Sequence, residues 1–125
     1  MFDEMRTAIV AARARERRPD ALTAADALEL ATLGGARALG LDASVGSLVP
    51  GKQADMTVLS LADTSFLPWE DPVTATVLGG SPHGVVATLV SGKRRYEKGG
   101  KPWLELIDAA RSARGRLLQY ADPTS

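Results

Sequence analysis

Residue types that commonly carry enzyme chemistry are scarce in this sequence. It contains one histidine, His83, and no cysteine, which excludes thiolate nucleophiles, disulfides and cysteine metal sites. His83 lies between Pro82 and Gly84, so we expect it in a loop that enters a strand. A catalytic zinc site usually takes three protein ligands, often histidines. We therefore expect no catalytic, cofactor-binding or metal-binding residue in this chain, and metal chemistry would need carboxylates or ligands from another chain.

The other candidate groups have structural interpretations. No serine lies in the Gly-x-Ser-x-Gly turn of a hydrolase nucleophile. The pairs Gly79-Gly80 and Gly99-Gly100 lack the spacing of a phosphate-binding loop. Asp55 follows a Gly51-Lys52 turn at the start of a β-rich run. Because a carboxylate at such a position commonly accepts backbone hydrogen bonds, we predict that Asp55 fixes the turn.

Length and composition describe one ordinary globular domain. The chain has 125 residues, 45% hydrophobic and 24% charged, with fifteen basic and fifteen acidic side chains. Zero net charge gives no global electrostatic reason to bind nucleic acid or an anionic membrane, so we expect neither partner. No apolar run reaches the about 20 residues of a membrane span. A chain without cysteine is compatible with the cytoplasm, which is the location we expect.

Two helices are predicted in the first third of the chain. The first covers residues 2–18, with apolar residues at helical spacing, and stops at Pro19. The second is capped by Thr23 and Asp26 and ends before Gly40, which is expected to have positive φ. Its buried face is expected to contain Leu28, Ala31, Gly35 and Leu39. This helix is rich in alanine and glycine, which indicates close contact with another backbone.

The remainder is predicted to be mainly β-structure closed by a helix. It begins with a short strand and Pro-Gly turn over 46–52, a strand over 54–61 covered on both faces, and a loop over 62–70. A short helix or irregular segment over 73–78 follows, then strands over 85–91 and 94–97 joined by a turn at 91–93, and a helix over 104–120. This order of helices and strands predicts an α+β fold without βαβ alternation.

Two consecutive runs carry a resemblance to a known family. Residues 27–41 (ALELATLGGARALGL) and 45–59 (VGSLVPGKQADMTVL) resemble the C-terminal region of the metal-dependent amidohydrolase superfamily. The most similar branch contains cytosine deaminase, chlorohydrolase and adenosylhomocysteine deaminase-like enzymes. Residues 87–93 also resemble that family's final strand and turn, and residues 1–7 resemble the start of its last barrel helix.

The resemblance implies a fold. It predicts the last helices of a TIM-type barrel (1–42), the C-terminal half of a small β-sandwich (43–100), and a closing C-terminal helix with its tail (101–125). Within this arrangement, the pattern Gly-x-Leu-x-x-Gly-Lys-x-Ala-Asp is interpreted as a structural motif formed by Gly46, Pro50, Gly51, Lys52 and Asp55.

The resemblance also implies what this chain lacks. Family members hold zinc or iron with an early His-x-His pair, further histidines and an Asp, none of which has a counterpart here. The implied role is a scaffold part of a hydrolase of C–N or C–Cl bonds, inactive alone, whose partner is the missing barrel portion or another copy of the chain. The alternative is a stand-alone, non-catalytic oligomerisation or interaction module. The genomic sequence upstream of Met1 discriminates between the two.

Overall fold

The computed structural model of this chain describes residues 1–62 and 69–121, and the side chains of all of these except 101–103 and 117–121. The helices are α1 (Phe2–Glu16), α2 (Ala24–Glu29), α3 (Gly35–Ala38), α4 (Pro72–Thr74) and α5 (Lys101–Ala121), and the strands are β1 (Met56–Leu59), β2 (Val85–Val90) and β3 (Lys93–Glu97). A π-helical turn joins α2 to α3 (Leu30–Gly34) and another extends α4 (Ala75–Gly79). The predicted mixture of helix and strand is confirmed.

Helix α1 ends two residues earlier than predicted. Arg17 adopts a left-handed conformation with φ 52°, which closes the helix before Pro19 is reached. Asp3 and Glu4 occupy its first turn, where the positive end of the helix dipole favours carboxylates. The buried residues of its apolar face are Met5 and Ile9.

Residues 24–38 form one continuous composite helix, made of α2, the π-helical turn Leu30–Gly34 and α3. The predicted capping box at its start is confirmed. The Thr23 hydroxyl accepts from the Asp26 backbone N–H at 3.2 Å, and Asp26 Oδ2 accepts from the Thr23 backbone N–H at 2.9 Å. Gly40 follows the helix with φ 68°, as predicted for a residue that ends a helix.

The predicted face of this helix is confirmed for Leu28 and Ala31, which pack against the core, but is wrong at its C-terminal end. A π turn closes its hydrogen bonds at i→i+5 rather than i→i+4, so the second half of the helix is rotated relative to an α-helical pattern. Ala36, five residues after Ala31, is buried, whereas Leu39 is 74% exposed. A period of 3.6 residues would instead place Leu39 on the same face as Leu28 and Ala31.

The helices share one small core. Met5, Ile9, Ala27 and Val77 form its buried cluster, and half-buried apolar residues of α1, the connection and the composite helix pack against it: Phe2, Leu22, Ala24, Leu28 and Ala31. Val77 is fully buried in the π-helical turn after α4. That short helix begins at Pro72 and is capped by Asp71. Of the two alternatives predicted for residues 73–78, a short helix or an irregular segment, the structure has the helix, with slightly wider bounds.

The strands form an antiparallel sheet in the order β1-β2-β3. Met56 pairs with Leu89 and Val58 with Ala87, while Thr88 pairs with Tyr96 on the other side of β2. The predicted turn between β2 and β3 is confirmed: Ser91 and Gly92 have φ 50° and 73°. Positive φ at both central positions is the geometry of a two-residue type I′ hairpin.

Two β predictions are wrong. The short strand predicted at the start of residues 46–52 is absent, because Gly46 has φ 90°, which no strand accommodates. The predicted Pro-Gly turn is confirmed, with Gly51 at φ 94°. The described residues do not cover strand β1 on both faces, since Thr57 and Val58 are both exposed. Most of the loop predicted over 62–70 lies outside the described residues. Within the part of the chain that the structure describes, no helix is long and apolar enough to cross a membrane.

Candidate functional site

The segment after the composite helix folds back onto it through Gly46. A β-carbon built on Gly46 would lie 2.7 Å from Ala36 Cβ and 3.0 Å from Leu33 Cα, closer than real side chains approach. The positive φ of Gly46 adds a second reason for glycine, since a side chain is strained in that conformation. Gly46 therefore lets the chain pass directly over the helix backbone at the end of the π-helical turn.

Lys52 closes the loop that Gly46 opens. Its Nζ donates to the Val45 carbonyl at 3.2 Å and to Ser47 Oγ at 2.8 Å, in a half-buried position. Gly51 has φ 94°, and a β-carbon at this position would meet nothing within 4 Å. It therefore serves the turn geometry alone, and Pro50 beside it is exposed. The two hydrogen bonds of the Lys52 ammonium group hold residues 45–52 as a compact turn.

Asp55 ties this segment to the β2–β3 hairpin. Its Oδ1 accepts a hydrogen bond from the Ser91 backbone N–H at 2.5 Å. Next to it, Ser91 Oγ donates to Gln53 Oε1 at 3.0 Å and the Gly92 backbone N–H donates to the Ala54 carbonyl at 3.0 Å. The predicted backbone acceptor role of Asp55 holds, but the turn it fixes is 36 residues away rather than its own.

The segment that contains the five motif residues therefore connects the composite helix to the sheet through close packing at Gly46 and hydrogen bonds of Lys52 and Asp55. Lys52 and Asp55 hydrogen-bond within the chain, the two glycines have no side chain, and no nucleophile is paired with a base among the five. The motif therefore positions the elements that it connects.

Among the described residues, His83 belongs to no group of side chains that could hold a metal ion. It is exposed in the 3-10 turn Pro82–Gly84, and its backbone carbonyl accepts from Lys98 Nζ at 2.8 Å. Within residues 1–62 and 69–121, no three His, Asp or Glu side chains are grouped so that they could hold a metal ion. The donor set of the described residues does not fit the zinc or iron of the implied family.

Arg6 is a structural residue that sequence reasoning missed. Its Nη1 donates to the carbonyl of Gly80 at 2.8 Å and to those of Val77 and Leu78 at 3.4 and 3.3 Å. These carbonyls end the π-helical turn Ala75–Gly79, where helix geometry leaves acceptors unpaired and the dipole favours a cation. No local pattern around Arg6 signals a partner more than 70 residues away.

Two of the carboxyls whose pKa values are lowered, Asp71 and Asp26, cap helices. Hydrogen bonds from Thr74, its side chain first, hold the pKa of Asp71 below the ordinary value of 3.8. The Thr23 side chain, followed by its backbone N–H, lowers the pKa of Asp26 in the same way. A general acid at neutral pH needs its pKa raised instead. Both shifts therefore report capping of helices rather than acid–base chemistry.

Comparison with known proteins identifies the family of this chain. The model of the amidohydrolase family matches residues 1–95. The chain is 36% identical over 120 residues to a 5'-deoxyadenosine deaminase of Methanothermobacter thermautotrophicus, a match that covers 94% of this chain and 28% of that protein. It is 34% identical over 119 residues to a 5-methylthioadenosine/S-adenosylhomocysteine deaminase of Symbiobacterium thermophilum, covering 93% of this chain and 27% of that protein.

Comparison with a solved structure supports the same family. The fold superimposes with a TM-score of 0.81 and 34% identity on an adenosine deaminase from Xanthomonas campestris that has zinc bound, covering 95% of this chain and 28% of that one. The chain thus spans little more than a quarter of the length of the relatives it matches. The resemblance carried by residues 27–41 and 45–59 is confirmed, and the chain belongs to the amidohydrolase family.

Proposed function

We propose that this chain is the C-terminal scaffold part of a metal-dependent, deaminase-like amidohydrolase that hydrolyses a C–N bond of a purine-type ring. The names of the similar proteins, which are deaminases of adenosine-type compounds, support the deaminase branch over the chlorohydrolases that hydrolyse C–Cl bonds. The chain itself would contribute no metal ligand and no catalytic side chain, so we propose that it is inactive alone.

One observation carries this proposal: the accessible surface of the chain is much larger than that expected for a compact monomer of its mass. Its accessible surface is 9338 Å², which is about 2,900 Å² more than the roughly 6,400 Å² expected for a compact monomer of 13.2 kDa. Six hydrophobic residues are buried among those described. A surface excess of this size is typical of a polypeptide that forms part of a larger body.

The larger body would be the rest of the amidohydrolase fold. In this proposal residues 1–42 are the last helices of a TIM-type barrel, residues 43–100 are the C-terminal strands of the small sandwich, and residues 101–125 close the chain as a helix and tail. Zinc or iron would be held by residues outside this chain, in line with the misfit of the described donors to a metal.

An activity assay tests the proposal. The purified chain, supplied in turn with zinc, iron and manganese, is assayed for ammonia release from 5'-deoxyadenosine and from adenosine, with the Methanothermobacter thermautotrophicus deaminase assayed in parallel as the positive control. We expect no release above background. Metal-dependent turnover that is lost in His83→Ala would contradict the proposal, because it would place a working metal site inside this chain.

The alternative is a stand-alone, non-catalytic module that associates with itself or another protein. The observation in its favour is the set of large apolar side chains exposed on the helices and loops, among them Leu39, Leu48 and Val10, because surfaces of this kind mark association sites. A homo-oligomer is the form of association we propose for the chain as a separate polypeptide. The genomic sequence upstream of Met1 separates the two functions: an in-frame barrel with a His-x-His pair supports the enzyme part, and a stop codon with a ribosome-binding site supports the module.

A further inference from the structure

The buried hydrophobic residues of the described chain lie in its helices and not in its sheet. Met5, Ile9, Ala27 and Val77 form the buried cluster, and they come from α1, the composite helix and the π-helical turn after α4. None of the residues of β1, β2 and β3 is buried. Since burial of apolar surface is the main favourable contribution to folding, the helices and the sheet are expected to differ in stability.

Both faces of the sheet carry exposed aliphatic side chains. Val58 of β1 is 43% exposed and Val90 of β2 is 42% exposed. Val58 pairs with Ala87, and Val90 lies three residues further along β2, so the two valines point to opposite faces. Neither face of this sheet is therefore closed over by the described residues.

Helix α5, which follows the sheet in the chain, leaves this exposure unchanged. Its described side chains, residues 104–116, are exposed or half-buried, and Leu104 and Leu106 are 53% and 58% exposed. A three-stranded sheet needs an apolar face packed against another layer to be stable by itself. Over the described residues, backbone pairing therefore contributes more to holding this sheet together than side-chain burial does.

The helices are held together by contacts among themselves. We call α1, the composite helix and residues 71–80 the helical unit. Val77 lies in one buried cluster with Met5 and Ile9, and Arg6 Nη1 donates to the carbonyls of residues 77, 78 and 80. These contacts lie within the helical unit, so separation of the strands breaks none of them.

The hydrogen bonds at the two ends of the sheet are exposed. At one end Asp55 Oδ1 accepts from the Ser91 backbone N–H, and at the other Lys98 Nζ donates to the His83 carbonyl. Exposed hydrogen bonds combined with few buried apolar contacts are characteristic of segments that open locally at low free energy. The sheet has both features, and the helical unit has a buried cluster instead.

We propose that this chain consists of two units of unequal stability, and that the strands of the sheet separate while the helical unit stays folded. This inference goes beyond the scaffold role proposed above, because it describes the chain as a separate polypeptide. Any polypeptide that covers the closed sheet would stabilise it by mass action, since it binds the closed form and not the open one.

Amide hydrogen exchange of the full chain measures how readily each unit opens. The amides to compare are those of residues 8–12 in α1 and those of residues 86–89 in β2, the central strand. We expect protection factors about tenfold or more lower in β2 than in α1. Equal protection in the two segments would overturn the proposal, and so would an unprotected α1, because the helical unit would then not be the folded part.

Two substitutions distinguish local from global opening. Thr88→Gly weakens the middle of β2, where Thr88 pairs with Thr57 and Tyr96, because glycine destabilises the interior of a strand. Ile9→Val is the matched change in the helical unit, since it reduces packing in the buried cluster. We expect Thr88→Gly to speed exchange in β2 and leave α1 unchanged, and Ile9→Val to do the reverse. An equal loss of protection in both segments of Thr88→Gly would show one cooperative unit and overturn the proposal.

Discussion

The guanidinium of Arg6 donates a hydrogen bond to the backbone carbonyl of Gly80 at 2.8 Å, across 74 residues of sequence. Glycine is required at position 80 for a separate reason, because a β-carbon there would overlap the Thr76 carbonyl and the Phe2 ring. Since β2 begins a few residues after Gly80, this contact joins the first helix of the chain to the entrance of its sheet.

Arg6→Met is expected to lower the free energy of unfolding by about 1–2 kcal/mol. The substitution keeps the aliphatic stem and removes the cation that serves the carbonyls of residues 77, 78 and 80. We place the effect at the lower end for charged hydrogen bonds because the Arg6 side chain is 32% exposed and water can replace part of the interaction. Urea unfolding measures the change.

The matched control is Arg111→Met, which removes an arginine from an exposed helical pair with Asp108. Exposed pairs contribute little, so we expect a change within about 0.5 kcal/mol. Equal effects of the two substitutions would show that the Arg6 contacts do not hold the helix end.

Gly46→Ala should destabilise the chain by about 2–4 kcal/mol, because it combines backbone strain at positive φ with overlap against Ala36 and Leu33. Gly51→Ala provides the comparison: its φ is similar, 94° against 90°, but nothing lies near its β-carbon. Strain alone predicts about 1–2 kcal/mol there. Thermal and urea unfolding of both variants give the difference, and a larger loss at Gly51 would contradict close packing at Gly46.

Asp55→Ala should cost about 1 kcal/mol through loss of the acceptor for the Ser91 N–H. Amide hydrogen exchange provides a local readout, since the Ser91 N–H should exchange faster in this variant while amides of α1 are unchanged. Gln53→Ala, which removes the neighbouring acceptor of the Ser91 hydroxyl, is the control and should leave the Ser91 N–H protected. Unchanged exchange in Asp55→Ala would rule out the connection between this carboxylate and the hairpin.

The two helix caps should make stability fall in acid. The pKa values of Asp26 and Asp71 are lower in the folded chain than the ordinary value of 3.8, so the unfolded chain binds more protons just below that pH. Their stabilisation is present above pH 3.8 and is lost as pH falls through the folded-state pKa values. Urea unfolding from about pH 6 to about pH 3 follows this loss.

In Asp26→Asn/Asp71→Asn this contribution to the acid dependence should disappear, which leaves a shallower decline than in the original chain. Asp42→Asn removes an exposed carboxylate outside both caps and serves as the control, with the original decline retained. Parallel declines in all three proteins would show that the caps do not contribute to acid sensitivity.

Predictions from the sequence succeeded where the determining contacts are local. Thr23 and Asp26 are three residues apart and cap each other, and Ser91-Gly92 supplies both left-handed residues of its own hairpin. The positive φ of Gly51 follows from a turn of adjacent residues. In each case the interacting groups lie within one helical turn or one hairpin, so the pattern of residue types is sufficient to predict the geometry.

Predictions failed where distant contacts or an uncommon geometry decide. Nothing near Arg6 indicates that Gly80 is its partner, and Gly46 shows its packing role only once Ala36 lies beneath it. The π-helical turn moves Leu39 to the surface although its spacing fits an α-helical face. The apolar pattern of β1 predicted burial on two sides, and the described residues of this chain do not provide that cover.

The π-helical turn Leu30–Gly34 also determines where this segment can change length. A π turn contains one residue more than the α-helical path between the same two points, so a one-residue deletion inside it could be absorbed by a return to the α-helical path. The same deletion within α3 would rotate the following residues by about 100° and turn Ala36 away from Gly46. Insertions and deletions accumulated during the divergence of this helix should therefore be tolerated at the turn and selected against on either side of it.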